Sequence, residues 1–334
     1  MVESAGKKIS VIVPVYNAVG TLERSVRSLI EQTLADIEII IVNDASIDGS
    51  GNIISALADE CHNLIVIDLP ENQGVHRARM VGLEAATTPW VGFLDADDFA
   101  RPTMYEEMYS AGIEKGVDVV ACGSYRVTAD RKILSAKIRY DRNRIVTENI
   151  FLRFCEFEFG TGILWNKLYR RALVTPVANL QFPWRQDINE DLIFSIGVFS
   201  EASSLYLMKA MLHEYALEEK SATATIGKAD AFVEIYRAFA VALSVYEGLG
   251  EEVLAAISSL YRRQLEFPAY QLKSLEDLHE HKEKLQEATD MVVQCYPIGL
   301  AVIAARVPRP NIIKRTLSSV FSRIGMIATK FTRA

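Results

Sequence analysis

The sequence predicts an α/β fold in which a mainly parallel sheet is covered by helices on both faces, followed by a helical C-terminal region. Short apolar runs alternate with segments of helical periodicity through the first 125 residues, and such alternation predicts a parallel sheet with crossover helices. The apolar runs are nearly continuous, which indicates strands buried on both faces. Strand-like runs cease near residue 220, so the rest of the chain is predicted to be helical.

The first two strand–helix pairs are defined by their apolar residues and by their ends. Ile9–Val13 is an apolar run that Pro14 is expected to end, because proline lacks the N–H group that a strand contributes. Val19–Thr33 has apolar residues three or four positions apart, which is helical spacing. Ile37–Val42 is rich in isoleucine, which favours strands, and Ile53–Cys61 follows it as the second helix.

The next elements continue the same alternation. Leu64–Ile67 and Trp90–Leu94 are short apolar strands, and the helix Val75–Ala86 lies between them. Met104–Lys115 is predicted as a helix and Val117–Ala121 as a fifth strand. Because the carboxyl ends of parallel strands meet at one edge of an open sheet, the loops after these strands are expected to share one cleft.

The pattern changes twice after this point. Between Arg126 and Pro183 a group of basic residues indicates an exposed hairpin or loop: Lys132, Lys137, Arg139, Arg142 and Arg144. From Gly227 onward the spacing of apolar residues predicts three helices: Ala229–Leu249, Glu251–Leu265 and Leu275–Cys295. His279 and His281 lie in a charged part of the last helix and are expected to be exposed. We place a boundary near residue 220, which gives an α/β domain over residues 1–220 and a helical region over residues 221–334.

Composition and charge exclude several classes of protein. The chain of 334 residues is 50% hydrophobic and 24% charged, which is ordinary for a soluble globular protein. Its net charge of −7 argues against a general nucleic-acid-binding protein. The four cysteines are far apart and lack metal-site spacing, so they are interpreted as reduced thiols of a cytoplasmic protein. No run reaches the ~20 apolar residues that a membrane span requires.

The last segment of the chain differs from the rest in charge. From Arg306 to the end there are seven basic residues and no acidic ones, and the apolar residues of about 309–331 fall on one helical face. A basic amphipathic helix is typical of a segment that lies on an anionic membrane surface. This predicts peripheral attachment to the inner face of the cell membrane. The alternative is a helix that packs on the protein body or at an interface between copies in a homo-oligomer.

An acidic cluster directly follows the fourth predicted strand. It consists of Asp95-Ala96-Asp97-Asp98, and its three carboxylates repel one another unless a positive charge sits among them. Hard oxygen ligands suit Mg²⁺ or Mn²⁺, and such a cation most often carries phosphates. The alternative is an acidic turn that caps the helix beginning near Pro102, because aspartate is a common cap and turn residue.

Three further strand ends carry groups suited to a nucleotide. Tyr16 follows the first strand and offers a ring to a base or ribose, and Asp44 follows the second and can accept the imide N–H of a uracil. The third strand is followed by Glu71-Asn72-Gln73-Gly74, where glycine allows close backbone approach. The next helix holds Arg77 and Arg79, which can bond a base or a phosphate. Together with the acidic cluster, four successive strands end in groups suited to a nucleotide, which favours a single ligand cleft.

With these motifs the chain resembles the family 2 glycosyltransferases, which have the Rossmann-like GT-A fold. The resemblance covers roughly residues 8–125 and resumes at 165–171 and 189–194. It implies a site for a nucleotide-sugar formed by Pro14, Tyr16, Asn17, Asp44, Asn72, Gly74, Arg79, Asp95, Ala96 and Ser221. Asp95-Ala96-Asp97 matches the DxD motif, in which Asp97 binds the metal ion. Met80 stands where the family usually has asparagine.

The resemblance also implies residues on the acceptor side. An acceptor hydroxyl is a poor nucleophile, so a base must remove its proton as it attacks. Asp191 aligns with the family's catalytic base, and the alternative for Glu190-Asp191 is a charge pair that complements a helix dipole. Trp165, Asn166 and Lys167 would form the wall under the acceptor, together with Glu190. Core packing is the alternative for Trp165.

A further segment matches the family in part. Ser221 matches a family serine, whereas Ala216 occupies a position where the family usually has an arginine that contacts the diphosphate. Lys220 and His213 are candidates for that role. His213 is also a candidate third metal ligand, and a purely structural histidine is the alternative.

The predicted function is an inverting, non-processive glycosyltransferase that depends on Mn²⁺ or Mg²⁺. The donor would be a UDP-sugar carrying a hexose or an N-acetylhexosamine, and the acceptor a hydroxyl of a bacterial surface glycan or its lipid-linked precursor. One alternative is a catalytically inactive glycan-binding protein. Another is a nucleotidyltransferase acting on sugar phosphates, but the glycine-rich basic loop that such enzymes carry after the first strand is absent from Tyr16–Gly20.

Overall fold

The structure, a computed structural model, describes residues 6–180, 182–217, 227–266 and 275–306. Within these residues ten strands form one sheet. The strands are β1 (Ile9–Val15), β2 (Ile37–Asn43), β3 (Leu64–Asp68), β4 (Trp90–Phe93), β5 (Phe99–Ala100), β6 (Val119–Val127), β7 (Ile133–Ile138), β8 (Arg144–Val146), β9 (Lys167–Arg170) and β10 (Leu205–Ala216).

Eleven α-helices accompany the sheet in the described part of the chain. They are α1 (Leu22–Ile30), α2 (Ser50–Glu60), α3 (Val75–Ala85), α4 (Met104–Lys115), α5 (Ile150–Cys155), α6 (Arg171–Val174), α7 (Glu190–Glu201), α8 (Lys228–Val245), α9 (Glu251–Glu266), α10 (Leu275–Cys295) and α11 (Pro297–Arg306). Short 3₁₀ helices cover Thr175–Asn179 and Glu247–Leu249. None of the described helices is both long enough and apolar enough to cross a bilayer.

The chain divides into two compact units. The described residues of the first unit are 6–150, 159–180 and 201–217, and they contain all ten strands. The second unit contains residues 151–158, 182–200, 227–266 and 275–306. The predicted boundary near residue 220 falls between described segments and stays a prediction. Ser221, Lys220 and the predicted amphipathic helix of about 309–331 also lie outside the described residues.

The sheet of the first unit confirms the predicted mainly parallel α/β architecture. Its strand order is β3-β2-β1-β4-β9-β6-β10-β5, with β7 on β6 and β8 on β10. The pairs among β3, β2, β1 and β4 are parallel, as is the pair of β6 with β10. The inserted β9 runs antiparallel to both of its neighbours. The parallel strand ends therefore lie at one edge of the sheet.

Helices cover both faces of β1, because successive residues of a strand point to opposite sides. Val11 and Val13 share a buried cluster with Val26 of α1. On the other face Ile12 meets α3 at Gly82, where an added Cβ atom would lie 2.5 Å from the Cγ2 atom of Ile12. Glycine at position 82 is therefore what allows α3 to approach the sheet this closely.

Several predicted boundaries shift in the structure. Pro14 does not end the first strand: it is buried within β1 opposite Val42, and β1 continues to Val15. Its missing N–H is tolerated because the pairing of β1 with β4 has already stopped at Ile12. The fifth predicted strand begins later than expected and runs on to Val127, where it forms the predicted hairpin with β7.

The described chain from Gly227 onward is helical, as predicted, with one further helix, α11, that the sequence analysis did not identify. His279 is exposed, but the expected exposure of His281 is wrong. His281 is only 2% exposed and its ring meets the edge of Phe232, with ring centroids 4.4 Å apart. It continues the buried stripe of α10, which consists of Leu285, Ala288 and Val292. This four-three-four spacing is helical, and it decides the orientation of the histidine.

Candidate functional site

The acidic cluster lies on a turn at the carboxyl end of β4, between β4 and β5. The backbone N–H of Asp98 donates to the carbonyl oxygen of Asp95 at 3.1 Å, which closes the turn. One carboxylate oxygen from each of Asp95, Asp97 and Asp98 lies within 4.8 Å of the other two. Asp95 and Asp97 are partly exposed, whereas Asp98 is fully buried. The turn therefore presents two accessible carboxylates and one internal one.

Asp98 and His213 face each other in the interior of the first unit. The Oδ2 atom of Asp98 lies 3.4 Å from the Nε2 atom of His213, and neither atom has a hydrogen-bond partner among the described residues. The other oxygen of Asp98 accepts the backbone N–H of Ala216 at 3.0 Å. The Nδ1 atom of His213 lies 3.0 Å from the hydroxyl of Ser124. Asp98 is therefore held through its other carboxylate oxygen, and His213 through its Nδ1 atom.

The electrostatics of this pair favour the binding of a cation. Burial, and then the charges of Asp97 and Asp95, raise the pKa of Asp98 well above its ordinary value. Burial also lowers the pKa of His213 well below its ordinary value, so its imidazole is neutral, the form that ligates metals. A divalent cation would stabilise the ionised carboxylates. Three clustered carboxylates, with an unpartnered imidazole nitrogen beside Asp98, thus fit Mg²⁺ or Mn²⁺.

Arg79 supplies a positive charge next to the cluster. It lies on α3 and is 7% exposed, and its Nη2 atom donates to Oδ1 of Asp95 at 2.7 Å. The structure thus brings together two residues that the sequence analysis assigned to the nucleotide-sugar. Because the guanidinium stays charged at all relevant pH values, it reduces the repulsion within the cluster.

Asp44 organises the loop that follows β3. It is 1% exposed, and its two carboxylate oxygens accept the backbone N–H groups of Gln73 and Gly74 at 2.7 and 2.8 Å. Gly74 has φ of 88° and ψ of 162°, a conformation that is essentially restricted to glycine. Asn72, in the same loop, is partly buried. Asp44 therefore joins the end of β2 to the loop that leads into α3.

The loop after β1 is attached to the loop after β2. The backbone N–H of Asn17 donates to the hydroxyl of Ser46, and the side-chain oxygen of Asn17 accepts the N–H of Ile47 at 2.9 Å. Asn17 itself has a positive φ of 50°, which asparagine tolerates better than most residues. The neighbouring Tyr16 is 44% exposed. The ring of Tyr16 is thus accessible to a ligand on a loop held by its neighbour.

The residues predicted to line the acceptor are largely internal in the first unit. Trp165 is 4% exposed, and its ring stacks on His213 at a centroid distance of 4.0 Å. Asn166 and Lys167 are fully buried. Asn166 donates to the carbonyl oxygen of Cys122, and the ammonium of Lys167 donates to the side-chain oxygen of Asn166. These contacts support β9 and β6, and the acceptor role of the three residues stays a prediction.

Glu190 and Asp191 lie in the second unit, at the first two positions of α7. Glu190 is buried, whereas Asp191 is partly exposed. The preceding loop is held by Glu234 of α8, whose Oε2 atom accepts the backbone N–H of Asp187 at 2.8 Å. Burial raises the pKa of this glutamate. The second unit therefore positions the start of α7 through its own helices.

The sequence analysis does not foresee the surroundings of two residues of the site. It counts Asp98 among the three carboxylates of the acidic motif, but the complete burial of Asp98 opposite His213 has no signature in the sequence. Tyr215, whose ring stacks on Trp165 with centroids 5.8 Å apart, has no assigned role in the sequence analysis. Ala96, between Asp95 and Asp97, is partly exposed like both of them. These positions depend on the pairing of β10 with β6, which the apolar pattern did not predict.

Comparison with known proteins shows which family this chain resembles over its first half. Residues 10–175 match the family model described as glycosyl transferase family 2. An uncharacterized glycosyltransferase of Bacillus subtilis, EpsJ, is 33% identical over 218 residues, which are 64% of this chain and 62% of the relative. The cholesterol galactosyltransferase of Borreliella burgdorferi is 31% identical over 211 residues, which are 59% of this chain and 57% of the relative. The chain thus spans about three fifths of the length of these relatives.

Solved structures show the same fold. The crystal structure of residues 1–349 of TarS from S. aureus, in complex with UDP-GlcNAc, superposes with a TM-score of 0.68 at 20% identity. The match covers 98% of this chain and 92% of the TarS chain. A second structure of the same fragment, in complex with UDP, gives a TM-score of 0.65 at 19% identity, with 98% of this chain and 91% of that chain covered.

Proposed function

Because the chain belongs to glycosyl transferase family 2 through its residues 10–175, we propose that it transfers a sugar from a UDP-sugar to an acceptor hydroxyl, with inversion at the anomeric carbon. The observation that carries the proposal is the convergence of Asp95, Asp97 and Asp98, whose carboxylate oxygens lie within 4.8 Å of one another. The cluster occupies the carboxyl edge of a parallel sheet, where such folds bind ligands. The UDP-GlcNAc bound to TarS supports the same class of donor.

Asp97, with Asp95, Asp98 and His213, would hold the Mn²⁺ or Mg²⁺ ion. When bound, this cation would supply positive charge that stabilises the diphosphate as a leaving group. Arg79 would then add a fixed charge at the same edge through its contact with Asp95.

The uridine would bind at the loops that follow β1, β2 and β3. Each oxygen of Asp44 accepts one backbone N–H, and a carboxylate oxygen has room for a second hydrogen bond, such as one from the imide of uracil. The exposed ring of Tyr16 offers a surface for stacking. Pro14, Asn17, Asn72 and Gly74 would shape this pocket through the backbone they hold, and Ser221 keeps its proposed role at the donor.

Asp191 is proposed as the base that deprotonates the acceptor. Its place in the first turn of α7 favours the ionised carboxylate, because the amino end of a helix carries partial positive charge. Partial exposure makes Asp191 more accessible than the buried Glu190. Glu190, Trp165, Asn166 and Lys167 would support the acceptor.

The proposed acceptor is a bacterial surface glycan or its lipid-linked precursor. The name of the Borreliella burgdorferi relative describes transfer to a lipid, cholesterol. The basic segment of about 309–331 is suited to anionic lipid. We therefore propose a cytoplasmic enzyme that works at the inner face of the membrane. Assembly into a homo-oligomer stays a prediction.

The test is release of nucleotide from a panel of nucleotide-sugars with Mn²⁺, with and without EDTA. The expected result is slow release of UDP from one UDP-sugar, and its loss on chelation. Asp97→Ala should abolish the metal-dependent binding of UDP, whereas the exposed Asp59→Ala is the matched control and should bind normally. Glycan binding without turnover would instead favour an inactive binding protein, and pyrophosphate exchange a nucleotidyltransferase.

The base is tested separately. Asp191→Asn should leave the affinity for UDP unchanged and lower the transfer rate by ~10²–10⁴-fold, the usual contribution of a general base. Asp187→Asn, a neighbouring aspartate paired with Arg185, is the control and should retain transfer. Equal transfer by Asp191→Asn and the parent would rule out the assignment.

A further inference from the structure

Lys137 is a partly buried lysine whose charge meets an aromatic ring and, among the described residues, no anion. It lies on β7, and its Nζ atom is 3.9 Å from the centre of the Tyr215 ring. Within the part of the chain that the structure describes, its ammonium group has no hydrogen bond and no ion pair. Burial lowers the pKa of Lys137 from its ordinary value. The ring compensates only in part for the lost water, because a cation–π contact is weaker than pairing with an anion.

A continuous series of contacts in the first unit connects Lys137 with the acidic cluster. The ring of Tyr215 stacks on Trp165, with centroids 5.8 Å apart. Trp165 stacks in turn on His213, which faces Asp98 at 3.4 Å. Lys137 therefore adjoins the candidate site through these ring contacts.

The charge balance shows what kind of ligand would complete this arrangement. When ionised, the three carboxylates are opposed by Arg79, and a bound divalent cation would neutralise the two negative charges that remain. With Lys137 added, the net charge of the site becomes slightly positive. The ammonium of Lys137 pairs with none of the described carboxylates. A phosphate group would satisfy such an ammonium, which binds phosphate as a compact point charge.

We propose that Lys137 binds the diphosphate of the donor nucleotide. This inference rests on the proposed function, because it takes a nucleoside diphosphate as the ligand. It assigns a role to the β6–β7 hairpin, which supplies no residue to the site in the sequence analysis. Ala216, next to Tyr215 on β10, carries no charge, whereas Lys137 brings a positive charge to the ring of Tyr215 from β7.

The test compares the affinities for UDP and for uridine, measured by calorimetry with Mn²⁺ present. Lys137→Met should weaken UDP binding by about 10- to 100-fold, which is typical of a lost charge-assisted hydrogen bond, and should leave uridine binding unchanged. Lys137→Arg should retain most of the UDP affinity. Lys132→Met, at an exposed lysine of the same hairpin, is the matched control and should bind UDP like the parent.

A second measurement uses the parent protein alone and does not depend on the folding of a variant. UDP with Mn²⁺ should protect Lys137, and not Lys132, from acetylation by an amine-reactive ester, as read by mass spectrometry. Unchanged UDP affinity in Lys137→Met, equal loss of UDP and uridine affinity, or absence of protection would overturn the role of Lys137. A parent protein that binds no UDP would instead overturn the proposed function itself.

Discussion

His76 should make the protein sensitive to acid. It lies on α3 and is 7% exposed, and its Nε2 atom is 2.8 Å from the carbonyl oxygen of Leu180. A neutral imidazole donates to that carbonyl. Burial lowers the pKa of His76 to about 4, and the charges of Arg79 and Arg77 act in the same direction. The folded protein therefore resists protonation of this side chain.

The sign and size of the effect follow from linkage. In the unfolded chain a histidine has a pKa of about 6.5, so below that pH the unfolded state binds more protons than the folded state. The free energy of unfolding should then fall as the pH decreases, by about 2 kcal/mol between pH 8 and pH 5 from this residue. The loss should level off at about 3 kcal/mol below pH 4. His281, whose pKa is also lowered to about 4 by burial, adds a separate loss.

The assay is urea unfolding at pH 8 and pH 5, followed by fluorescence. His76→Gln keeps an N–H donor for the carbonyl of Leu180 but cannot be protonated, so it should lose about 2 kcal/mol less than the parent over this interval. His62→Gln, at an exposed histidine, should behave like the parent. The contributions of carboxylates are common to all three proteins and cancel. The same pH dependence in the parent and in His76→Gln would refute the reasoning.

Three other predictions concern backbone geometry and the C-terminal segment. Gly82→Ala should destabilise the protein by about 1–3 kcal/mol in thermal or urea unfolding, because its Cβ atom would overlap Ile12, whereas Gly51→Ala, in open space on α2, should be neutral or stabilising. Gly74→Ala should cost about 1–3 kcal/mol through its positive φ and should also weaken UDP binding in calorimetry. Deletion of residues 308–334 should reduce sedimentation with anionic liposomes, and unchanged sedimentation would favour a role in packing or oligomerisation.

Much of the first unit could be predicted because its strands are buried on both faces. Continuous apolar runs identified β1 to β4 and placed their ends in order. The strand β9 escaped this reasoning because it begins with Lys167, a charged residue whose complete burial depends on bonds to Asn166 and to its own preceding loop. Such compensation is a tertiary property, and no local pattern reveals it.

The sequence predicted which aspartates form the acidic site but not how their side chains are oriented. The sequence places three aspartates within four positions, and only the fold shows that Asp98 turns inward to His213 while the other two stay partly exposed. His213 is 115 positions away along the chain from Asp98. Lys137 and Tyr215 are likewise far apart in the sequence. From the sequence alone Lys137 is one of several basic residues predicted to be exposed, and only the fold shows that its ammonium lies over the Tyr215 ring.

The attachment of the loop before α7 to Glu234 has a practical consequence for dissecting this chain. A single carboxylate of the helical region accepts a hydrogen bond from the backbone N–H of Asp187, four positions ahead of Asp191. A fragment trimmed to the α/β portion would leave that amide without its acceptor and would free the stretch carrying the proposed base. Exchanging the helical region for that of a relative should therefore alter turnover, unless the incoming helix supplies an acid at the matching place.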